Sequence, residues 1–239
     1  FRQHLAQFKF ELREGEAVSK VEKLDKGFKV STAQGAALEA GTVIIATGKR
    51  PRLLGVPGEG KYGRKGVTYC ATCDGPLFAN KAVAVIGGGN SALDAALQMI
   101  KIAGKVYLIN IAPQLTGDPV MIDKVKADPK VEVLNGTKTL EFFGDQFLKG
   151  IKVESGGAAR ELAIEGAFIE IGLVPNSGCI DFVDKNEIGE IVVNNLAETS
   201  CPGVYAAGDV TNMPEKQIVI AAGDGAKALL IAFGYICTH

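Results

Sequence analysis

A glycine-rich turn separates a short apolar run from an amphipathic segment near the middle of the chain. The apolar run, residues 82–86, predicts a buried strand, and residues 90 to about 103 predict a helix capped by Asn90 or Ser91. The first glycine of such a turn allows a tight bend, the third lets a pyrophosphate approach the backbone, and the alanine permits close helix–strand packing. The pattern G-x-G-x-x-A therefore predicts a dinucleotide-binding βαβ unit, with a purely structural turn as the alternative. Its members are Gly87, Gly88, Gly89, Asn90, Ser91 and Ala92.

The end of the following strand bears on the choice of dinucleotide. Residues 106–109 predict this strand, and an acidic residue is expected at its end to hold the ribose 2′-hydroxyl. Asn110 stands there, followed by Ile111 and Ala112. An asparagine can bond a ribose hydroxyl, and no arginine is present at this position to receive a 2′-phosphate. The local chemistry therefore favours NADH over NADPH.

A pair of cysteines three positions apart forms the second motif. Cys70 and Cys73 can close a small disulfide loop, and Asp74 beside them can handle a proton. A structural zinc site needs four ligands, and the two histidines, His4 and His239, stand at the chain ends. A redox pair is therefore favoured over half of a zinc site or two inert thiols, and no metal is expected.

A third motif is the segment 203–210, an apolar strand that ends in a Gly-Asp turn at Gly208 and Asp209. Open α/β sheets bind ligands outside the carboxyl ends of their strands, so Asp209 can accept a hydrogen bond from a sugar or ribityl hydroxyl. A plain turn is the alternative.

Composition excludes some classes of protein. The 239 residues are 47% hydrophobic, which allows a real core, and 26 basic against 27 acidic residues give a net charge of −1. That charge argues against nucleic-acid binding through a broad basic surface. No uninterrupted apolar run reaches the roughly 18 residues of a membrane helix, so no membrane association is expected. A helix is also predicted at about 217–234. Short strands are predicted at 8–12, 17–24, 28–32, 42–46, 132–134, 138–142, 147–153 and 167–170.

Together these motifs resemble the thioredoxin reductase family of flavoproteins. The resemblance rests on Ala-Thr-Gly at 46–48, Cys-Ala-Thr-Cys-Asp-Gly at 70–75, the turn at 87–92 and Ala-Gly-Asp-Val at 207–210. Residues 74–78 and 110–113 lean toward a related group, the flavoprotein subunits of alkyl hydroperoxide reductases. The resemblance implies an α/β, two-domain pyridine nucleotide-disulfide oxidoreductase fold. An NAD(P)H-binding domain at 51–174, carrying the cysteine pair, would be inserted into an FAD-binding domain formed by 1–50 and 175–239.

The resemblance also implies roles for individual residues. Cys73 corresponds to the thiol that faces the flavin, Cys70 to the thiol that attacks the partner, and Asp74 to the acid/base. Electrons would pass from NAD(P)H through FAD and this disulfide to a thioredoxin-like or peroxiredoxin-type protein. A cytoplasmic homodimer is expected. The implied flavin contacts are Thr47, Gly48, Gly208, Asp209, Lys216, Gln217 and Ile218.

One departure from the family pattern leaves alternatives open. The family begins with a glycine-rich strand–turn–helix that binds FAD, and no such unit precedes residue 87. The FAD domain is therefore expected to be incomplete here. The alternatives are a dinucleotide-binding fragment without flavin or turnover, and a reductase driven by ferredoxin.

Overall fold

The computed structural model describes residues 2–5 and 7–238, so His239 lies outside the described residues. The chain divides into two compact units. Unit 1 comprises Phe1–Arg50 and Val174–His239, and unit 2 comprises Pro51–Leu173. The sequence places the crossings within one residue of these, at 50/51 and 174/175. The assignment of each unit to one cofactor stays a prediction.

Fifteen strands are defined in the described residues. They are β1 (Val18–Lys23), β2 (Phe28–Thr32), β3 (Ala37–Ala40), β4 (Val43–Ile45), β5 (Lys49–Pro51), β6 (Val67–Thr68), β7 (Ala82–Ile86), β8 (Lys105–Ile109), β9 (Val131–Leu134), β10 (Thr137–Gly144), β11 (Leu148–Ser155), β12 (Ala158–Ala163), β13 (Gly166–Ile169), β14 (Leu173–Pro175) and β15 (Val204–Ala206). The helices are α1 (Arg2–Leu5), α2 (Ala71–Asp74), α3 (Asn90–Ile100), α4 (Pro119–Ala127) and α5 (Ile218–Thr238), with 3-10 turns at Gly75–Phe78 and Gly208–Val210.

Unit 2 is built on a five-stranded sheet in the order β6-β13-β7-β8-β9, whose pairs are parallel. Alternate side chains of a strand point to opposite faces. Accordingly, Val83 and Val85 of β7 pack in the cluster that contains α3, whereas Ala84 and Ile86 pack in a second cluster. Both faces of the sheet are therefore covered, as parallel sheets require.

The second cluster of unit 2 combines side chains of the parallel sheet with side chains of an antiparallel sheet in the order β10-β11-β12. Phe142 and Ile151 are almost fully buried in it. On the other face, α3 buries Leu93 and Met99 completely, because its apolar residues recur at helical spacing. Unit 2 therefore closes its own core on both sides of the parallel sheet.

Unit 1 contains smaller sheets. The strands β1, β2 and β3 form an antiparallel sheet, and β15 pairs in parallel with β4. Phe28 stacks on Phe182 with their ring centroids 6.1 Å apart. The long helix α5 buries Ala228 and Ala232, which pack with Tyr205 and Ala207.

Several local predictions differ from the structure. Residues 8–12 form no strand. Their alternating apolar side chains, Phe8, Phe10 and Leu12, are exposed and pack against no core. The helix α3 is capped by Gly89, without a side-chain bond from Asn90 or Ser91. The sequence did not predict the strands β3, β5, β6, β12 and β14 or the helices α1, α2 and α4.

The helix α5 also qualifies the expectation about membranes. This helix of 21 residues is long enough and apolar enough to span a membrane, judged by length and composition alone. Only 11% of its most apolar 18-residue stretch is buried within the protein. Asp224 and Lys227 interrupt the apolar sequence of this helix, so it contains no uninterrupted apolar run of 18 residues. These two side chains form an ion pair 3.3 Å apart.

Candidate functional site

The glycine turn of unit 2 connects β7 to α3, and two of its glycines are required by their surroundings. Gly87 has φ +144°, and a Cβ there would run into the carbonyl oxygen of Glu170 and lie 2.9 Å from the Cβ of Ala92. A Cβ on Gly88 would collide with the side chain of Asn110. Gly89 is different, because no atom lies within 4 Å of the position that its Cβ would take. The open space beside Gly89 suits the close approach of a pyrophosphate.

A cleft of about 570 Å³ opens in front of this turn, within unit 2. Its size falls in the range of small-molecule sites. Of the residues predicted from the sequence, Gly87, Gly88, Gly89, Asn90, Ser91 and Asn110 line the cleft. Ala92 is fully buried and packs behind the turn, as a residue that permits close helix–strand contact should.

Asn110 is engaged in hydrogen bonds within the protein. Its Nδ2 donates to the carbonyl oxygens of Ala112 and Gln114 and to Oδ1 of Asn135, over distances of 2.9–3.1 Å. Its Oδ1 accepts from the N–H of Ala112. Asn110 thus shapes the loop after β8, and one lone pair of Oδ1 is the remaining capacity for a ribose hydroxyl. The ribose contact stays a prediction.

Five polar or charged residues of the cleft, one of them Thr137, were not predicted from the sequence. Arg52 and Lys138 supply positive charge, and Thr139 and Glu170 supply polar groups. Thr139 is 5% exposed, and its buried hydroxyl has no hydrogen-bond partner among the described residues, so a ligand atom could satisfy it. These residues come from strands or loops distant in sequence from the glycine turn, and no local motif marks them.

The cysteine pair lies at the start of α2 in the same unit. Cys70 and Cys73 form a disulfide with their Cα atoms 5.3 Å apart, and Cys73 is exposed whereas Cys70 is half-buried. The Sγ of Cys70 accepts a hydrogen bond from the N–H of Cys73 at 3.2 Å. Asp74 is half-buried, and its carboxylate accepts from the hydroxyl of Thr68. Within the described residues, no cluster of three or more potential ligands that could hold a metal is present.

The tyrosine before this pair is held by a buried carboxylate. The hydroxyl of Tyr69 donates to Glu59, and burial together with Glu59 raises the pKa of Tyr69 to about 12. Glu59 also accepts from the N–H groups of Leu54 and Gly55, near the rim of the cleft. One carboxylate therefore fixes both the cleft loop and the residue adjacent to Cys70.

In unit 1, the predicted flavin residues gather at one sheet edge. The parallel strands β4 and β15 end just before Thr47–Gly48 and Gly208–Asp209, so these residues share an edge. A Cβ on Gly48 would meet nothing within 4 Å. Asp209 is half-buried, and its carboxylate has no hydrogen-bond or ion-pair partner in the described part of the chain. An open backbone edge and an available carboxylate fit the ribityl chain of a flavin.

The other three predicted flavin contacts differ in their exposure to solvent. Gln217 and Ile218 are exposed at the start of α5. Lys216 turns inward, where its Nζ lies 3.2 Å from Glu190 and donates to the carbonyl oxygen of Thr211. Burial raises the pKa of Glu190, but hydrogen bonds from Lys49, Asn186 and Lys216 outweigh it and leave the pKa below its ordinary value. The structure thus gives Lys216 an ion-pairing role.

Comparison with known proteins identifies the family. The sequence profile described as pyridine nucleotide-disulphide oxidoreductase matches residues 3–225. The chain belongs to the pyridine nucleotide-disulphide oxidoreductase family. The predicted family resemblance and the predicted fold class are therefore confirmed.

Relatives of this oxidoreductase chain include two bacterial proteins, each named as the F subunit of alkyl hydroperoxide reductase. The protein of Staphylococcus epidermidis (strain ATCC 35984) is 42% identical over 237 residues, which are 98% of this chain and 47% of that protein. The protein of Staphylococcus aureus (strain Mu50) is 44% identical over 236 residues, which are 98% of this chain and 46% of that protein. The chain thus spans about half the length of the curated relatives it matches.

Solved structures give the same family. The thioredoxin reductase from Streptococcus pyogenes MGAS5005 superposes with a TM-score of 0.86 at 34% identity, covering 94% of this chain and 74% of that chain. The thioredoxin reductase from Giardia duodenalis superposes with a TM-score of 0.84 at 30% identity, covering 93% of this chain and 74% of that chain. These likenesses place the oxidoreductase chain among proteins of thioredoxin reductase-like fold.

Proposed function

We propose that this chain carries the nicotinamide-nucleotide site and the redox disulfide of a flavin-dependent disulfide reductase. Electrons pass from NAD(P)H through FAD and the Cys70–Cys73 disulfide to a disulfide of a partner protein. The supporting observation is that one compact unit holds both the disulfide and a cleft lined by the G-x-G-x-x-A turn. The relatives' names, which refer to alkyl hydroperoxide reductase and thioredoxin reductase, agree with this chemistry.

The flavin would be held by residues of unit 1. When bound, FAD accepts a hydride from the nicotinamide and passes two electrons on to a disulfide. Thr47, Gly48 and Gly208 would offer backbone groups to it, and Asp209 would accept from a ribityl hydroxyl. The open edge formed by β4 and β15 supports this assignment, together with Gln217 and Ile218 at the start of α5.

The chain's own residues perform the exchange with the partner. The Cys70 thiolate attacks one sulfur of the partner's disulfide and releases a partner thiolate. The Cys73 thiolate then attacks Cys70 in the mixed disulfide, which restores the Cys70–Cys73 bond and releases the second partner thiolate. Asp74 moves protons at these sulfurs, and the hydrogen bond from Thr68 holds its carboxylate in place.

We propose NADH as the electron donor in preference to NADPH. Asn110, Ile111 and Ala112 provide no guanidinium for a 2′-phosphate, although Arg52 and Lys138 line the same cleft. Exposed Ile111 is the position at which to test this choice, and an Ile111→Arg, Ala112→Arg pair should recruit NADPH. Asn110→Asp is a poorer test, because it would remove the amide that donates to three acceptors.

The partner is proposed to be a thioredoxin-like or peroxiredoxin-type disulfide protein. The two groups of relatives carry names that correspond to these two classes of partner. A homodimer and a cytoplasmic location complete the proposal, and both rest on the family resemblance. Gel filtration with light scattering tests the dimer directly.

A trapping experiment tests the disulfide relay without dependence on flavin. The chain is reduced with dithiothreitol, freed of the reductant and mixed with oxidised thioredoxin or oxidised peroxiredoxin. Wild-type protein should transfer two electrons to the partner, and Cys73→Ser should accumulate a mixed disulfide through Cys70. Cys70→Ser is the matched control and should trap much less. If reduced wild-type protein transfers no electrons to either partner, the relay is wrong.

A pair of glycine variants tests the nucleotide cleft. Gly89→Ala fills open space where a pyrophosphate would approach, so NADH affinity should fall about tenfold, or about 1.4 kcal/mol, while the fold is retained. Gly87→Ala should instead destabilise unit 2, because its φ and the Glu170 carbonyl exclude a side chain. Isothermal titration with NADH and thermal unfolding separate the two effects. Unchanged NADH affinity in Gly89→Ala would argue against the assigned cleft.

A further inference from the structure

A chain of side-chain hydrogen bonds joins residues 70–73, the redox loop, to the helix α3. Thr72 lies between the two cysteines of the disulfide, and its hydroxyl donates to Oε1 of Gln98 at 3.1 Å. The Nε2 of Gln98 donates in turn to Oδ2 of Asp94 at 2.7 Å. Asp94 and Gln98 are four residues apart on α3 and therefore share one face of the helix. The proposed function uses none of these three side chains.

The bond to Asp94 fixes the orientation of the Gln98 amide. A carboxylate oxygen only accepts hydrogen bonds, so the NH₂ group of Gln98 must face Asp94. The amide oxygen then faces Thr72, whose hydroxyl can donate to it. The bond to the carboxylate is charge-assisted and is therefore the stronger of the two. Asp94 thus holds Gln98 as a hydrogen-bond acceptor for the redox loop.

Packing also attaches the redox loop to α3, and α3 is itself anchored in the core. Leu93, Ala96 and Met99 of α3 are completely buried. Gly75 directly follows α2, and a Cβ there would lie only 3.3 Å from Sδ of Met99. The segment that carries the cysteines therefore approaches a fixed helix closely at Gly75. The hydrogen bond from Thr72 is a second attachment to the same helix.

We propose that Gln98 is a positioning residue that tethers the redox loop to α3 and lowers the reduction potential of the Cys70–Cys73 disulfide. This inference rests on the proposed function for the role of the cysteine pair. The Thr72–Gln98 bond is present while the disulfide is closed. Reduction adds two electrons and two protons, breaks the S–S bond and gives two thiols that no longer hold the loop closed.

The tether acts through the difference between the two redox forms. Opening the disulfide ring gives Thr72 more freedom, so its bond to Gln98 is weaker in the dithiol than in the disulfide. A bond that is stronger in one of two states favours that state by the difference. The tether therefore favours the disulfide and makes the reduced pair a stronger electron donor to the partner's disulfide.

The test measures the equilibrium between the cysteine pair and a dithiothreitol buffer. Dithiothreitol gives up two electrons and two protons as it closes to its cyclic disulfide, so the ratio of its two forms sets the potential. After an acid quench, alkylation labels the free thiols, and site-resolved mass spectrometry separates the pair from the other three cysteines. Gln98→Ala should shift this equilibrium about fivefold toward the dithiol, which raises the reduction potential by about 20 mV.

Variants at both ends of the hydrogen bond provide the matched controls. Thr72→Val removes the hydroxyl and keeps the shape of the side chain, so it should raise the potential as much as Gln98→Ala does. Thr72→Ser keeps the hydroxyl and should leave the potential near the wild-type value. The double variant Thr72→Val, Gln98→Ala should shift no further than either single variant, because both remove the same bond. Asp94→Ala frees the Gln98 amide and should give a smaller shift of the same sign.

The outcomes separate this inference from a structural role and from the proposed function. A structural role alone would lower the melting temperature of Gln98→Ala and leave the potential unchanged, which overturns the inference. Shifts that add in the double variant also overturn it. Thr72 is exposed, so Thr72→Val decides the question even if Gln98→Ala does not fold.

Electron transfer from reduced wild-type protein to oxidised thioredoxin or peroxiredoxin tests the proposed function separately. If this transfer occurs and the variants do not move the potential, the tether is wrong and the proposed function stands. If the wild-type protein transfers no electrons, the proposed function is wrong, and the role of the pair on which this inference rests is lost with it.

Discussion

The two units differ in how completely they bury their apolar residues. In unit 2, Val83, Leu93 and Met99 are fully buried between a parallel sheet and α3, and a second cluster covers the other sheet face. In unit 1, α5 buries little more than Ala228 and Ala232. Seven of its large apolar side chains are 36–79% exposed, namely Ile218, Val219, Ile220, Leu229, Leu230, Phe233 and Ile236.

This difference in apolar burial predicts that unit 2 can fold alone more readily than unit 1. Hydrophobic burial is the main favourable contribution to folding, and unit 2 obtains it from its own residues on both sheet faces. The exposed face of α5 contributes nothing until something covers it. The nucleotide cleft and the redox disulfide both belong to the well-buried unit.

The largest expected effect is in the folding of the separated units. Residues 51–173 expressed alone should unfold cooperatively and retain NADH binding, because both core clusters lie inside this span. Circular dichroism during thermal unfolding measures this. Limited proteolysis of the whole chain should leave fragments mainly from unit 2. If α5 resists proteolysis as well as unit 2 does, the proposed difference in stability between the units is wrong.

A matched pair of leucine substitutions sharpens the contrast. Leu93→Ala on α3 should destabilise the protein by about 2–5 kcal/mol, since it leaves a cavity in a closed core. Leu230→Ala on α5 should change stability by less than about 0.5 kcal/mol, since its side chain is 71% exposed. Urea unfolding monitored by circular dichroism gives both values. A loss as large as that of Leu93→Ala in the Leu230→Ala protein would show that α5 is covered in solution.

Much of unit 2 was predictable because its signals are local. The run 82–86, the glycine turn and the helix from residue 90 follow one another along the chain, and β7 and α3 begin where they were expected. The same glycine spacing also occurs at Gly58, Gly60 and Gly63, where the structure has turns. Those glycines follow no strand and open no helix, so the flanking elements, not the spacing, carry the information.

The errors have physical causes too. Phe8, Phe10 and Leu12 alternate like a strand, yet pairing depends on a neighbouring strand that the segment's own sequence cannot reveal. The strand β3 was missed because its residues, Ala37–Ala40, are all exposed and carry no alternation. In the cleft, Thr139 and Glu170 escaped notice because tertiary contacts, not a motif, bring them beside the glycine turn.

The buried carboxylate of Glu190 in unit 1 and the half-buried carboxylate of Glu170 in unit 2 allow the pH dependence of the two units to be compared. Glu190 in unit 1 pairs with Lys49 and Lys216, which holds its pKa below the ordinary value despite burial. Its contribution to stability is therefore present above the ordinary pKa and is lost as the pH falls through the lowered value. Glu190→Gln should destabilise unit 1 by about 3 kcal/mol at pH 7, because two lysines lose a buried partner. Urea unfolding at pH 7 checks this, and an unchanged midpoint would contradict it.

Glu170 in unit 2 should show the opposite pH dependence with a smaller effect. Its pKa in the folded state is raised to about 7, chiefly by burial, so folding favours the neutral form. Its contribution to stability is therefore fully present below the ordinary pKa of about 4.5 and is lost as the pH rises through about 7. Glu170→Gln should consequently raise the melting temperature of residues 51–173 by a few degrees at pH 8 and have little effect at pH 5. Thermal unfolding at both pH values measures the difference. Glu165→Gln is the control, because Glu165 directly precedes β13 and is exposed. A Glu170→Gln protein that is less stable than the wild type at pH 8 would contradict this expectation.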